Sequence, residues 1–192
     1  MQADFSIECG PGDECLEMPW ASEDGLRRYV DLRLNPEALA ALEEVRSFPE
    51  FGEFLATANA PLSVFQTAKC DAGFSREMTV EDEVFATTGK FWSYADFLFV
   101  APEAQSSFAQ HETAVRDLVR RLQLEPEMPV AAEFLVRRGF FAGGAEGFYI
   151  TTYIFGYSDG EDEARRLWGM ALRLVSAAFE KYSSELGTRV PE

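Results

Sequence analysis

Stretches in which apolar and polar residues alternate are separated along this chain by stretches in which apolar residues recur every three or four positions. Leu26, Val30, Leu32 and Leu34 share one side of a period-two run and Arg27, Asp31 and Arg33 the other, which predicts a strand over 26–34. Asn35 followed by Pro36 predicts a helix start, with Ala38, Leu39, Leu42 and Val45 as its apolar stripe. Pro49 interrupts that pattern. Phe51, Phe54, Leu55 and Ala58 then predict a second short helix, ended by Asn59-Ala60-Pro61. Residues 62–70 read as a strand and 73–89 as a polar, acidic connection. Thr79 and Asp82 have capping-box spacing there, so a helical turn and a further strand over 78–86 both stay open.

The second half of the chain is plainer. An aromatic strand is predicted over 91–100. Pro102 then opens a helix whose stripe is Phe108, His111, Val115, Leu118, Val119 and Leu122. Strands over 131–141 and 148–157 flank a glycine-rich turn at 143–147. Ser158 and Glu161 have capping-box spacing before the longest helix, 160–186, whose stripe includes Leu167, Trp168, Ala171, Val175 and Phe179.

These elements predict one α+β domain over 1–192. An antiparallel sheet would carry the two long helices on one face, with a weak ββα duplication over 61–125 and 130–187. A strand and helices over 26–60 would extend or cover the rest. Residues 1–25 read as an acidic hairpin turning at Gly10-Pro11-Gly12-Asp13, or as an arm.

Charge changes the picture most. Seventeen basic residues stand against 33 acidic ones, a formal net charge of −16. The acids cluster over 1–25, at 77–83 and at 159–163. Such a surface repels nucleic acid and anionic lipid and steers a basic partner inward. Apolar runs are far shorter than the roughly 18 residues of a membrane span. With no basic and then apolar leader at the N-terminus, the expected location is cytoplasmic. Three cysteines, an odd number, fit free thiols in a reducing compartment.

Several chemistries lack their residues. His111 is the only histidine, so no multi-histidine metal centre can form. Gly89-Lys90 has Val84 where a phosphate loop needs glycine and Phe91 where it needs Ser or Thr. The acidic run at 158–163 lacks the spacing of a calcium loop. No metal or cofactor is expected. Cys70, between Lys69 and Asp71, is the one candidate nucleophile, with His111 its only conceivable base. Alternation turns Lys69 and Asp71 away from the sulfur, so a structural thiol is expected.

The remaining signal lies in the strands. Trp92, Tyr94 and Asp96 share one face, as do Tyr149, Thr151, Tyr153 and Tyr157, with Arg137 and Glu133 on the neighbouring strand and Lys69 and Asp71 on the earlier one. If these converge on the face away from the long helices, they make an aromatic floor holding few charges. The candidate binding residues are therefore Trp92, Tyr94, Asp96, Arg137, Tyr149 and Tyr153. Three uses stay open: a second core layer under the N-terminal helices, a protein interface that a homodimer could also use, and a small-molecule pocket. The expected function is non-catalytic binding of a basic protein, in the manner of a chaperone, immunity or adaptor protein. The alternative is a small-molecule-binding domain or an enzyme using an aromatic and carboxylate pocket. A strand over 78–86 would make the element order resemble that of acidic secretion chaperones, a likeness of topology alone.

Overall fold

The computed structural model describes residues 1–187. The fold is α+β. Its strands are β1 (Gln2–Glu8), β2 (Leu16–Glu17), β3 (Phe65–Ser75), β4 (Lys90–Phe99), β5 (Val130–Phe141) and β6 (Ala145–Tyr157). Its helices are α1 (Glu43–Ser47), α2 (Pro49–Ala58), α3 (Pro102–Gln105), α4 (Phe108–Leu122) and α5 (Glu161–Gly187), with 3-10 turns at Pro36–Ala41 and Glu81–Phe85. The sheet order is β1-β5-β6-β4-β3, with β2 also on β5. The hairpins β3–β4 and β5–β6 meet through their second strands, so β4 pairs antiparallel with β6 at the centre.

The sheet is mixed rather than wholly antiparallel, because β1 and β2 both run parallel to β5. The N-terminal segment is therefore no hairpin. β1 and β2 lie end to end along one edge, and the loop between them, flanked by Cys9 and Cys15, bulges away. The terminal ammonium group fixes the start by donating to the carbonyls of Glu125 and Pro126, both at 2.9 Å. Ala3 and Phe5 then face the core.

Helices α4 and α5 pack on the same face as expected, and α2 joins them against α5. Aromatic residues dominate this core: Phe51, Phe54, Phe65, Phe91, Phe97, Phe134 and Trp168 are buried. Trp168 is fully buried and its indole N–H donates to Ser93 Oγ at 2.9 Å. Strand β6 makes room for α5 at Gly156, where an added Cβ would lie 2.2 Å from Trp168 N and 2.5 Å from the Ala164 carbonyl. Only glycine permits that approach of helix to strand.

Other expectations are corrected. Residues 26–34 form no strand; their pairing is limited to an isolated antiparallel bridge between Arg28 and Ala21. Leu26 and Leu34 are 85% and 79% exposed. The Asp31 carboxylate instead accepts from the N–H groups of Arg33 and Leu34, a local turn that competes with extended structure. The Arg33 guanidinium pins the segment by donating to the carbonyls of Ala60, Pro61 and Ser63. The helix expected after Asn35 is a 3-10 turn and then α1. The helix opened by Pro102 stops after one turn and restarts at Ser107, whose hydroxyl accepts from Gln110 N. Before α5, Ser158 forms no capping box. The adjacent Asp159 carboxylate accepts from the N–H and hydroxyl of Thr88. Residues 78–86 hold a 3-10 turn and no strand, so the topological likeness to secretion chaperones lapses.

Candidate functional site

The N-terminal helices leave the second face of the sheet uncovered, because they pack beside α5 on the first. Two short segments overhang this second face instead. At one end, residues 16–20 cross it. Leu16 joins Leu98 and Tyr149 in a small separate core, and Met18 and Trp20 pack against them. At the other end, the 79–85 turn is clamped down by Asp82. Its carboxylate accepts from Lys90 Nζ at 2.5 Å and from the Tyr157 hydroxyl at 2.8 Å, and Phe85 stacks on Tyr157 with centroids 3.9 Å apart. Burial pushes the Asp82 pKa up, but the Lys90 ammonium, the Thr79 N–H and the Tyr157 hydroxyl outweigh it, so the net direction is down. The capping-box spacing is thus used: Thr79 N–H donates to Asp82 Oδ2 at 2.7 Å.

Between the overhangs lies an aromatic platform. Trp92 pairs across the strands with Phe155, and Tyr94 with Tyr153. Along β4 the rings of Trp92 and Tyr94 are stacked, 6.5 Å apart with planes at 1°. Along β6 those of Tyr153 and Phe155 are stacked, 6.2 Å apart at 5°. Tyr94 and Tyr153 close the square at 5.9 Å. All four rings are partly exposed. Lys69 and Lys90 lie over Tyr94 and Phe155 at 5.6 and 5.3 Å.

Charged residues run beside the platform in a linked set. Arg137 donates through Nε and Nη2 to Glu8 Oε2 at 2.9 and 2.8 Å, and through Nη1 to Glu14 at 2.9 Å. Nη1 also reaches Thr151 Oγ1 at 3.3 Å, and that hydroxyl donates to Asp96 Oδ1 at 2.5 Å. Burial raises the Asp96 pKa to about 6, against the lowering influence of the Thr151 hydroxyl, Lys69 and Arg137.

On the β1 side, a cavity of about 720 Å³ is lined by Asp4, Glu81, Asp82 and Glu133 and by Lys90, which is paired with Asp82, together with Phe85, Tyr153, Phe155 and Tyr157. Glu133 has its pKa raised by partial burial and then by the like charges of Glu8, Asp4 and Glu81, with Arg137 opposing.

The six candidate binding residues named from the sequence all lie on this second face. Trp92, Tyr94 and Tyr153 meet in the platform, and Asp96 and Arg137 meet through Thr151. Tyr149 is fully buried under residues 16–20, so it holds an overhang and offers no binding surface. Cys70 faces the helix-bearing side opposite Ala95, where burial pushes its thiol up to about 12. His111 packs instead against Phe99 and Phe148, and its Nδ1–H donates to the Ser107 carbonyl at 2.9 Å. Phe155, Lys90 and the Asp82 clamp were not among the residues singled out. Phe155 shares parity with Tyr153 and Tyr157, so its place was readable. The clamp depends on how the 79–85 turn folds back, which no local pattern states.

Comparison with protein families, with curated proteins and with solved structures finds no match for this chain. Among the described residues, no group of histidine, cysteine, aspartate or glutamate side chains could hold a metal ion, and no helix is long and apolar enough to cross a membrane.

Proposed function

We propose that this chain is a binding module for a basic segment of another protein. The partner's apolar side chains would lie on the Trp92, Tyr94, Tyr153 and Phe155 platform. Its lysine or arginine side chains would enter the neighbouring acidic cavity. One observation carries this reading: Asp4, Glu81 and Glu133 line the same cavity as the Tyr153 and Phe155 rings, and Glu133 has its pKa raised by burial first and then by the like charges of Glu8, Asp4 and Glu81. A cluster of carboxylates that repel one another beside exposed aromatic rings is relieved by a cation, and an arginine or lysine can meet ring and carboxylate together. Self-association through this face would set the same carboxylates against each other, which disfavours a homodimer here.

A second reading rests on Asp96. A carboxyl shifted toward neutrality inside a linked polar set is a feature of catalytic sites. However, Asp96 is 2% exposed and Thr151 already occupies one of its oxygens, so a substrate atom has little access to it. The protein-binding reading is preferred for that reason.

The test is capture on the immobilised chain at low and high ionic strength, comparing wild type with a Trp92→Ala, Tyr153→Ala double variant. The expected result is a basic partner held by wild type at low salt, released by high salt and not held by the variant. An identical set of captured proteins on both chains would contradict the proposal.

A further inference from the structure

The opposite end of the second face carries a cavity of reversed charge. It lies between β3, α1 and the segment 20–32, and it encloses about 510 Å³. Trp20 and Tyr94 contribute aromatic walls, and Lys69 Nζ lies 5.6 Å from the centroid of each ring. Arg27, Arg28 and Arg46 also line it. The only carboxylates in the lining are Glu43 and Glu44, so four cations face two anions. Among the described residues, Arg27, Arg28 and Arg46 make no ion pair. Lys69 has only a long contact of 3.5 Å with Glu14, whose other oxygen is held by Arg137.

In a chain of net charge −16, a lining with surplus positive charge runs against the surrounding field. Solubility does not call for it, since the acids already supply that. Stability explains little of it: Arg28 donates to the Gly25 carbonyl at 3.3 Å, Arg27 is attracted through space to Asp24, and among the described residues none of the three guanidinium groups has a carboxylate at ion-pair distance. What the arrangement does offer is a set of planar donors beside two aromatic rings, in a volume within the range of about 300–1,000 Å³ common to small-molecule sites.

We propose that this cavity binds a small organic anion with a flat aromatic body. The ring packs against Trp20 and Tyr94, and the anionic group is held by Lys69 and the arginines. This site shares the Tyr94 ring with the aromatic platform but no charged residue with the acidic cavity, and it takes a ligand of the opposite charge.

The experiment is isothermal titration calorimetry of the full chain with three probes: 2-naphthoate, its uncharged analogue 2-naphthamide, and adenosine monophosphate. Saturable binding at one site is expected for at least one of the two anions, at least about tenfold tighter than for the amide, since hydrogen bonds to charged groups are the stronger kind. Whichever anion binds identifies the source as an aryl carboxylate or a nucleotide phosphate. The Arg27→Gln, Arg46→Gln double variant should lower the affinity about tenfold, while Arg120→Gln on the exposed side of α4 leaves it unchanged. Both arginines are exposed, and circular dichroism checks that the variant keeps its fold; Arg46→Gln alone serves if it does not. Failure of both anions to saturate overturns the proposal. So does equal affinity for the amide, or an affinity that ignores loss of the arginines.

Discussion

Replacing Asp96 with Asn tests the electrostatics of the second face. The folded protein holds this carboxyl at about 6 against an ordinary value of 3.8, chiefly because burial disfavours the charged form. A rise of about two units at about 1.36 kcal/mol each makes the ionised carboxylate roughly 3 kcal/mol less favourable folded than unfolded. The sign follows from proton binding. Between about pH 4 and pH 6 the folded state binds more protons at this site than the unfolded state, so stability falls as pH rises through that window. Asparagine keeps an oxygen to accept from Thr151 and carries no charge. Its stability relative to wild type should therefore improve by roughly 2 kcal/mol between pH 4 and pH 7, as measured by urea unfolding at a series of pH values. Other carboxylates shift stability too, but they are common to both proteins and cancel in the difference. A difference that stays flat with pH would show that Lys69 and Arg137 fully compensate the charge. One that moves the other way would show that they over-compensate it. Either outcome refutes the reasoning.

Trp168→Ala should destabilise by about 3–5 kcal/mol, the range for a large buried aromatic, and a loss under about 1 kcal/mol in chemical denaturation would mean that the packing of α5 on the sheet is wrongly described. Gly156→Ala adds a methyl group where the backbone of α5 already lies 2.2 Å from the Cβ position, so a loss of about 3 kcal/mol or more is expected, and an unchanged melting curve would contradict the close approach. Cys70 in the native fold should react with a thiol reagent more slowly than a free cysteine, because burial raises its pKa to about 12; faster labelling would sink the structural assignment.

The elements legible in the sequence were those whose periodicity is satisfied by burial on one side. The stripe through Leu167, Trp168, Ala171, Val175 and Phe179 does face the core, because α5 has a sheet beneath it along much of its length. Alternation in β4 and β6 placed Trp92, Tyr94 and Tyr153 on one face for the same reason. The segment 26–34 shows the limit. Its alternation is as regular, yet a strand needs a neighbour, and the Asp31 turn is the better local solution. In β3 a bulge between Thr67 and Lys69 shifts the register, so Gln66 and Cys70, which simple alternation puts on one face, end on opposite faces. The two cavities could not be read at all. Each is closed by a short segment, 20–32 or 79–85, held by contacts distant in sequence such as Tyr157 with Asp82 and Arg33 with the carbonyls of 60–63. Charge composition indicated an acidic protein, but not that four of its 17 cations line one cavity while carboxylates line the other.

The central claim is that a basic partner is steered to the acidic cavity and held on the aromatic platform. The most direct test is the association rate of the captured partner, followed by stopped flow at low and high ionic strength, for wild type and for a Glu81→Lys, Glu133→Lys variant. The account predicts an on-rate that falls steeply as salt screens fields beyond about 8–10 Å, and a variant that associates more slowly at low salt with a smaller salt dependence. An on-rate indifferent to both salt and charge reversal would contradict it and leave the acidic surface as a solubility device.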